Sequence, residues 1–462
     1  MIDRTLVTSL ACVALGASAA SAQLAVPDPY DVANEDAATT DPRGFSSGPD
    51  VIYQQVLSID TAGPVGGKMG YIGDSYTCNI GDTPMVFGFS ANGSPALTFN
   101  LYRLMNGRLE QIGLSWVKHA CCAAQGSGCG LSCSPAGGLG PGCRDIYSAG
   151  WNAIQSNLGP RSLINAYTGN IPGTSGVGGS TIAGRLQATQ SDLQMEGAGA
   201  SYYFEGVYVA SDDAPAGNAY NNASYRPVNV NQSTLSMSTA GTMFTGTPAI
   251  YAWQNADPSV VIVPVDIPGE GRLHVAAKVS ENGDGTYHYE YAVYNLNSHR
   301  SVGSVSVPVS SAGNVGFHDV DYHSGEPYDN TDWSVSTDGN AVTWSSPQTF
   351  AQNQNSNAIR WATMYNFWFD ATTGPTDGEV TLGLFRPGTP DSVNVPLPVP
   401  QSGGCNGADL AEPFGQLDFT DVTTYLAAFG SMLPEADLAV PFGQFDINDV
   451  IEFLTQFGAG CP

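Results

Sequence analysis

Between Phe317 and Trp333 the sequence reads FHDVDYHSGEPYDNTDW, which places His318, Asp319, Asp321, His323, Glu326, Asp329 and Asp332 within 15 residues. Paired carboxylates there could serve as acid and base on a glycosidic bond, and His with Asp could hold a divalent ion. Spacing alone sets no two of these carboxylates at a catalytic separation, and in so acidic a chain a solvated strand-loop-strand edge explains the same run. A second group is KHACC at Lys118 to Cys122 with Cys129, Cys133 and Cys143, whose thiolates and imidazole are zinc or copper donors. Those six-body-cysteine neighbours, Cys78 included, make three disulfides in an exported chain more readily than a metal centre. A third set is the aspartates Asp409, Asp418, Asp421, Asp437, Asp446 and Asp449 of a duplicated tail. There is no Gly-x-Ser-x-Gly elbow, no phosphate loop and no dinucleotide fingerprint.

The elements that would carry these groups are strands. VIYQQVLSI, PMVFGFSA, ALTFNLYRL, TYHYEYAVYNL, SVGSVSVPVS and EVTLGLF are β-branched and aromatic runs bounded by Gly, Asn and Asp. In TYHYEYAVYNL, alternation puts Tyr287, Tyr289, Tyr291 and Val293 on one face and His288, Glu290, Ala292 and Tyr294 on the other, so one side can be buried. The turn Glu281 to Gly285 (ENGDG) predicts a hairpin between AAKVS and TYHYEYAV, and TDGN at Thr337 to Asn340 predicts another between DWSVS and AVTWSS. Tyr202, Tyr203 and Phe204, or Trp361, Tyr365, Phe367, Trp368 and Phe369, could stack on sugar rings, though alternation assigns Tyr365, Phe367 and Phe369 to the core. No three-turn helical pattern and no strand-helix-strand alternation interrupts this. The body therefore reads as mainly β, an antiparallel, jelly-roll-like β-sandwich over 51–390, either one large sandwich or two subdomains split near 200. From Ala120 to Thr181, Gly and Pro break the pattern into a Cys/Gly-rich, disulfide-pinned excursion.

Residues 1–22 read as a secretory signal peptide, with Arg4 before an apolar run and Ala20-Ser21-Ala22 before Gln23. Residues 23–50 are polar and aperiodic, a flexible leader. Residues 391–404, within the Pro-rich Pro387 to Gly404, read as a stiff linker. The net charge of -27, with 15 Lys and Arg against 42 Asp and Glu, argues against nucleic acid or an anionic membrane as partner. No stretch after the signal is apolar enough to span a membrane. Removing Cys12 with the signal leaves eight cysteines, of which Cys405 and Cys461 bracket the tail and predict a bridge of its own.

The tail repeats itself: ADLAEPFGQLDFTDVTTYLAAFG at Ala408 to Gly430 and ADLAVPFGQFDINDVIEFLTQFG at Ala436 to Gly458 agree at 14 of 23 positions. Val422, Tyr425, Leu426 and Phe429, like Val450, Phe453, Leu454 and Phe457, fall at i, i+3, i+4, i+7, which predicts two short amphipathic helices that bury a shared apolar face. With GGC at Gly403 to Cys405 and GCP at Gly460 to Pro462, this segment, 405–462, resembles the dockerin type I module in its Gly-Cys-bracketed variant. That resemblance implies calcium as cofactor, an all-α fold, and a cohesin-like or cell-surface protein as docking partner. The loop departs from an EF-hand: counted from Asp409, positions 3 and 5 are Ala411 and Pro413, Gly415 falls at 7 and Asp421 at 13. Calcium held by Asp409, Asp418 and Asp421, and by Asp437, Asp446 and Asp449, is one reading. The other is Asp418-Phe-Thr-Asp421 and Asp446-Ile-Asn-Asp449 as capping boxes that need no metal.

The body segments CNIGDTP (Cys78 to Pro84), YRLMNGRLEQIGLSWVKH (Tyr102 to His119) and NNASYRPV (Asn221 to Val228) resemble large secreted proteins of unknown activity that carry the same tail. The function expected from all of this is that of a secreted or cell-surface, non-catalytic β-sandwich protein that binds polysaccharide or other glycan and docks through its tail. The alternative is an O-glycosyl hydrolase using the Asp and Glu cluster with the same docking module.

Overall fold

The computed structural model describes residues 45–88, 91–119, 123–173, 175–401, 406–411 and 417–460. The signal peptide, most of the leader, Cys121, Cys122, Cys405 and Cys461 lie outside the described residues. The body is mainly β, as its alternating sequence requires, and its long strands are antiparallel. The N-terminal half holds a ten-stranded sheet whose centre is formed by Ser201–Val209, Ala96–Met105 and Arg108–Leu114, with a three-stranded sheet (Val51–Gln55, Ser75–Asn79, Arg144–Tyr147) beside it. The C-terminal half holds two five-stranded sheets. One runs Val261–Asp266, Arg272–Glu281, Tyr287–Asn295, Thr363–Ala371, Gly313–His318; the other runs Ser334–Thr337, Ala341–Ser345, Val302–Pro308, Pro375–Leu384, Ser392–Pro400.

Both hairpins read from the turns are present. Lys278 pairs with Glu290 across the Glu281–Gly285 turn, where Gly285 has φ +86°, and Val335 pairs with Trp344 across a turn in which Gly339 has φ +86°. The side chain of Asp338 accepts from the amides of Asn340 and Ala341, which closes that turn.

The strand Tyr287–Asn295 departs from the one-sided burial expected of it. Tyr289, Tyr291 and Val293 enter the core between the two five-stranded sheets with Tyr365, Phe367 and Phe369. Ala292 and Tyr294 on the opposite face enter a second core, shared with Tyr102, Leu109, Val207 and Val209 of the N-terminal half. This sheet has apolar neighbours on both sides because Ala276, Ala292 and Met364 are small or flexible enough for another sheet to approach.

A buried polar lock crosses that second core. Glu205 accepts from Asn100 Nδ2 (2.7 Å), Tyr102 Oη (2.8 Å), Tyr294 Oη (3.4 Å) and Ala249 N (2.6 Å). Arg161, 1% exposed, donates to the carbonyls of Ser115 (2.6 Å), Phe99 (3.1 Å) and Ala362 (2.9 Å) and to Asn100 Oδ1 (2.7 Å). Donors and acceptors are matched, the condition under which a polar network can be buried.

Two expectations about boundaries are corrected. The linker placed at 391–404 is, over Ser392–Pro400, an edge strand in register with Pro375–Leu384. Pro396, Pro398 and Pro400 alternate, so their missing N–H groups share one side of the strand, whose outer side has no partner strand among the described residues, while Val395, Leu397 and Val399 fill the core. The leader ends by Phe45, which is buried; Ser46 bridges Gly81 and Asp50 is 1% exposed. In the excursion, Cys78 pairs with Cys129 and Cys133 with Cys143.

Candidate functional site

Where the N-terminal hairpin Ala96–Leu114 crosses the strand Thr363–Ala371, Gln111 Oε1 accepts from Met364 N (2.7 Å) and Asn366 Nδ2 donates to Leu109 O (3.0 Å). Alternation from these docked residues turns Arg108 and Glu110 outward, into a charged seam with two adjoining clefts.

The first cleft, about 240 Å³, is lined by Arg103, Arg108, Glu110, Lys278, His288 and Glu290. A chain of alternating charge runs through it: Asp192 to Arg103 (3.0 Å), Arg103 to Glu110 (2.7 Å), Arg108 to Glu110 (3.5 Å), Arg108 to Glu290 (2.6 Å), Glu290 to His288 (3.3 Å) and His288 to Asp370 (2.6 Å). Arg108 also lies 3.5 Å over the ring of Trp368. Hydrogen bonding to Glu290 raises the His288 pKa against its partial burial, with Asp370 adding to the rise. Burial pushes Glu110 up, but His318, Arg103 and Arg108 together bring it below the usual carboxylate range. None of Arg103, Arg108, Lys278, Glu290 or Asp370 was legible as a site in sequence, because they come from five strands in three separate stretches of the chain.

The second cleft, about 180 Å³, receives part of the acidic cluster: His318, Asp319, Asp321 and His323 line it with Lys68, Gln111 and Asp192. Burial pushes Asp319 up to about 6, partly offset by a 2.5 Å hydrogen bond from Asn357 Nδ2. Asp321 is exposed, 3.8 Å from Lys68. Burial lowers His323 to about 4; its Nε2 is 2.7 Å from Leu114 O and its Nδ1 2.8 Å from Ser324 Oγ, so the ring is neutral and held as a strut. The other members point elsewhere. Glu326 accepts from the backbone amides of Arg161 (2.8 Å) and Ser162 (2.9 Å), and Asp329 closes a turn at Thr331. Asp319 can thus exchange a proton near pH 6, but Glu326 is spent on fixing the loop of Arg161 rather than facing it.

Of the aromatic groups, Tyr202, Phe204, Trp361, Tyr365, Phe367 and Phe369 are core. Among the described residues of the body the exposed aromatic is Trp151, 42% exposed and stacked on Tyr147 at 6.2 Å and 14°.

In the tail, helices run from Phe419 to Gly430 and from Ile447 to Ala459, each opened by a capping box. Asp421 accepts from the amides of Leu410 (2.7 Å), Ala411 (2.8 Å) and Asp418 (2.8 Å). Asp449 repeats this with Leu438 (2.9 Å), Ala439 (2.9 Å) and Asp446 (2.9 Å). Asp418 and Asp446 accept from Thr420 N (2.6 Å) and Asn448 N (2.7 Å). Asp437 accepts from Gly443 N, and Asp409 is buried. Asp418, Asp421, Asp437, Asp446 and Asp449 thus each hold backbone amides of the loops and helix starts. Tyr425 stacks on Phe453 at 4.0 Å in the shared core. Leu426 and Leu454, assigned to that core by helical spacing, are each 58% exposed. Helical spacing cannot tell the edge of an apolar stripe from a second stripe. The expected Cys405–Cys461 bridge lies outside the described residues; within them, Asn406 Nδ2 donates to Gln456 O (2.9 Å) and Gly460 O (3.2 Å), joining the module's two ends.

No family model matches the chain, and no curated protein matches it. Among solved structures, a serine-rich repeat adhesion glycoprotein from Streptococcus agalactiae is 7% identical with a TM-score of 0.19, over 76% of this chain and 98% of that one. An exo-chitosanase from Amycolatopsis orientalis is 10% identical, TM-score 0.15, over 70% and 25% of the two chains. The BSP domain of a biofilm associated protein is 8% identical, TM-score 0.17, over 79% and 61%. Likenesses this faint carry no functional argument.

Proposed function

We propose that this chain is an exported, non-catalytic β-sandwich protein that docks onto a cohesin-like or cell-surface protein through its C-terminal helix pair and offers its body to glycans. One observation carries the docking reading. Positions related by the 28-residue repeat stay exposed in pairs, Phe419 with Ile447 (78% and 67%) and Leu426 with Leu454 (58% and 58%), while Tyr425 and Phe453 between them are each 1% exposed. A module this small does not leave such side chains bare for its own stability, and paired bare apolar positions suit a partner. The signal-like N-terminus and the two disulfides support export. The Trp151–Tyr147 platform supports glycan contact, since a bared indole face is the group that stacks on sugar rings. The hydrolase alternative keeps Asp319 and Asp321 in one cleft, while Glu326 of the same cluster is bonded to the amides of Arg161 and Ser162.

The test is binding of the full chain to purified cohesin domains and cell-surface proteins, with Leu426→Asp and Leu454→Asp combined. Burying each half-exposed Leu on docking contributes about 1–2 kcal/mol, so the pair should weaken binding by roughly 30-fold or more while the fold persists. Equal binding by this variant ends the docking reading. A glycan array with Trp151→Ala tests the body separately.

A further inference from the structure

A third cleft, of about 410 Å³, shares no lining residue with the two at the seam. The Cys/Gly-rich excursion brings Tyr167 and Thr168 to it. The connection between the strands Ser201–Val209 and Ala223–Val230 brings Ala214, Pro215 and Tyr220, and the turn after Tyr287–Asn295 brings Asn297. Among the described residues no charged side chain lines it, although the chain carries a net charge of -27 and both seam clefts are lined with acids and bases. Its volume falls within the range of about 300–1,000 Å³ typical of small-molecule sites.

The lining groups are fixed from behind. Asn165 and Asn170 exchange backbone hydrogen bonds (both 3.1 Å) and Asn165 Oδ1 accepts from Thr168 N (3.1 Å), so the loop that carries Tyr167 and Thr168 is closed on itself. Arg272, gripped by Asp266 at 2.7 and 3.0 Å, lies 4.3 Å over the Tyr220 ring. Asn297, 4% exposed, accepts from Arg272 N through Oδ1 (2.8 Å), while its Nδ2 reaches Ala219 O at 3.4 Å. That bond is long and a primary amide carries two N–H donors, so a buried donor is left over at the cleft. The hydroxyls of Tyr167 and Thr168 have no hydrogen-bond partner among the described residues.

These features narrow the ligand. A charged molecule would give up its hydration here without meeting a countercharge. A wholly apolar one would leave the Asn297 donor and the hydroxyls dry. An uncharged ring with hydroxyls around its edge and an apolar face satisfies both, because the edge pairs with Asn297, Thr168 and the phenols while the face lies on tyrosine. We propose that this cleft binds a neutral pyranose unit of a polysaccharide. The choice of a sugar among uncharged polyhydroxy ligands rests on the glycan reading of the body given above; the site is separate from Trp151, which does not line it.

The experiment titrates the full chain with neutral and uronic-acid oligosaccharides by calorimetry, and reads hydrogen exchange over residues 165–170. A neutral oligosaccharide should bind and slow exchange there, and its acidic counterpart should bind at least about tenfold more weakly. Tyr167→Ala should weaken neutral binding by at least about tenfold. Thr168→Val, at an exposed position, should weaken it by about threefold or more and serves if Tyr167→Ala does not fold. Sugar binding that both variants keep within about twofold, or that leaves 165–170 unprotected, overturns the cleft while the glycan reading stands. A full chain that binds no sugar at all ends both.

Discussion

Replacing Asp421 by Asn separates the two readings of the tail acids. Oδ1 of Asp421 holds the amides of Leu410 and Ala411, and Oδ2 holds that of Asp418. An Asn keeps one oxygen, so its best placement retains the two bonds at Oδ1 and sets an NH2 against the N–H of Asp418. That loses one charge-assisted bond and leaves a buried donor facing a donor, together about 2–4 kcal/mol. Among the described residues the module's core holds five buried side chains, Ala408, Tyr425, Ala428, Ala436 and Phe453, so a loss of this size opens it often. Amides of Val422 to Gly430 should then exchange roughly 30 to 1,000 times faster by hydrogen-exchange mass spectrometry. Asp437→Asn is the control. Among the described residues its carboxylate accepts from Gly443 N, which an Asn oxygen can also accept, so exchange should change by less than about fivefold. If the acids act as calcium ligands instead, Asp437→Asn should loosen its helix as much as Asp421→Asn loosens the other, and chelator should do the same to the wild type. That outcome would refute the capping argument.

Glu205→Gln should destabilise the body by about 2–4 kcal/mol in urea unfolding, because an amide cannot accept from Asn100, Tyr102, Tyr294 and Ala249 together. His288 is held above its ordinary 6.5 by Glu290, so its contribution is complete below pH 6.5 and fades as pH rises through the raised value. The melting-temperature gap between wild type and His288→Asn should therefore be larger at pH 5.5 than at pH 8.5. Cys78→Ser opens a loop of 51 residues' separation and should lower unfolding free energy by about 4 kcal/mol, with Cys129 then titrating as a free thiol.

The strands, both hairpins and the two tail helices were legible because each is specified locally, by alternation, by Asn-Gly and Asp-Gly turns, or by Asp at a helix start. The seam was not. The hairpin of Arg103 and Arg108 meets Glu290 and Asp370 only once one half docks on the other, and no local period encodes that docking. The acidic run 317–333 was visible, yet its division into Asp319 in a cleft, Glu326 under Arg161 and Asp329 in a turn depends on partners elsewhere in the chain. The strand at 392–400 was missed because proline composition outweighed the alternation of Val393, Val395, Leu397 and Val399, which was present all along. Leu426 and Leu454 show the converse error, a periodicity that is real but faces outward.

The strand carrying Tyr289 and Tyr294 has no wet side. Were either half of the body produced alone, it would bare a slab of aromatic and aliphatic surface, and in the N-terminal half Glu205 would lose Tyr294 and Arg161 the Ala362 carbonyl. Such a fragment would clump rather than fold. A protein engineer therefore has to move everything from Phe45 to Pro400 as one indivisible block.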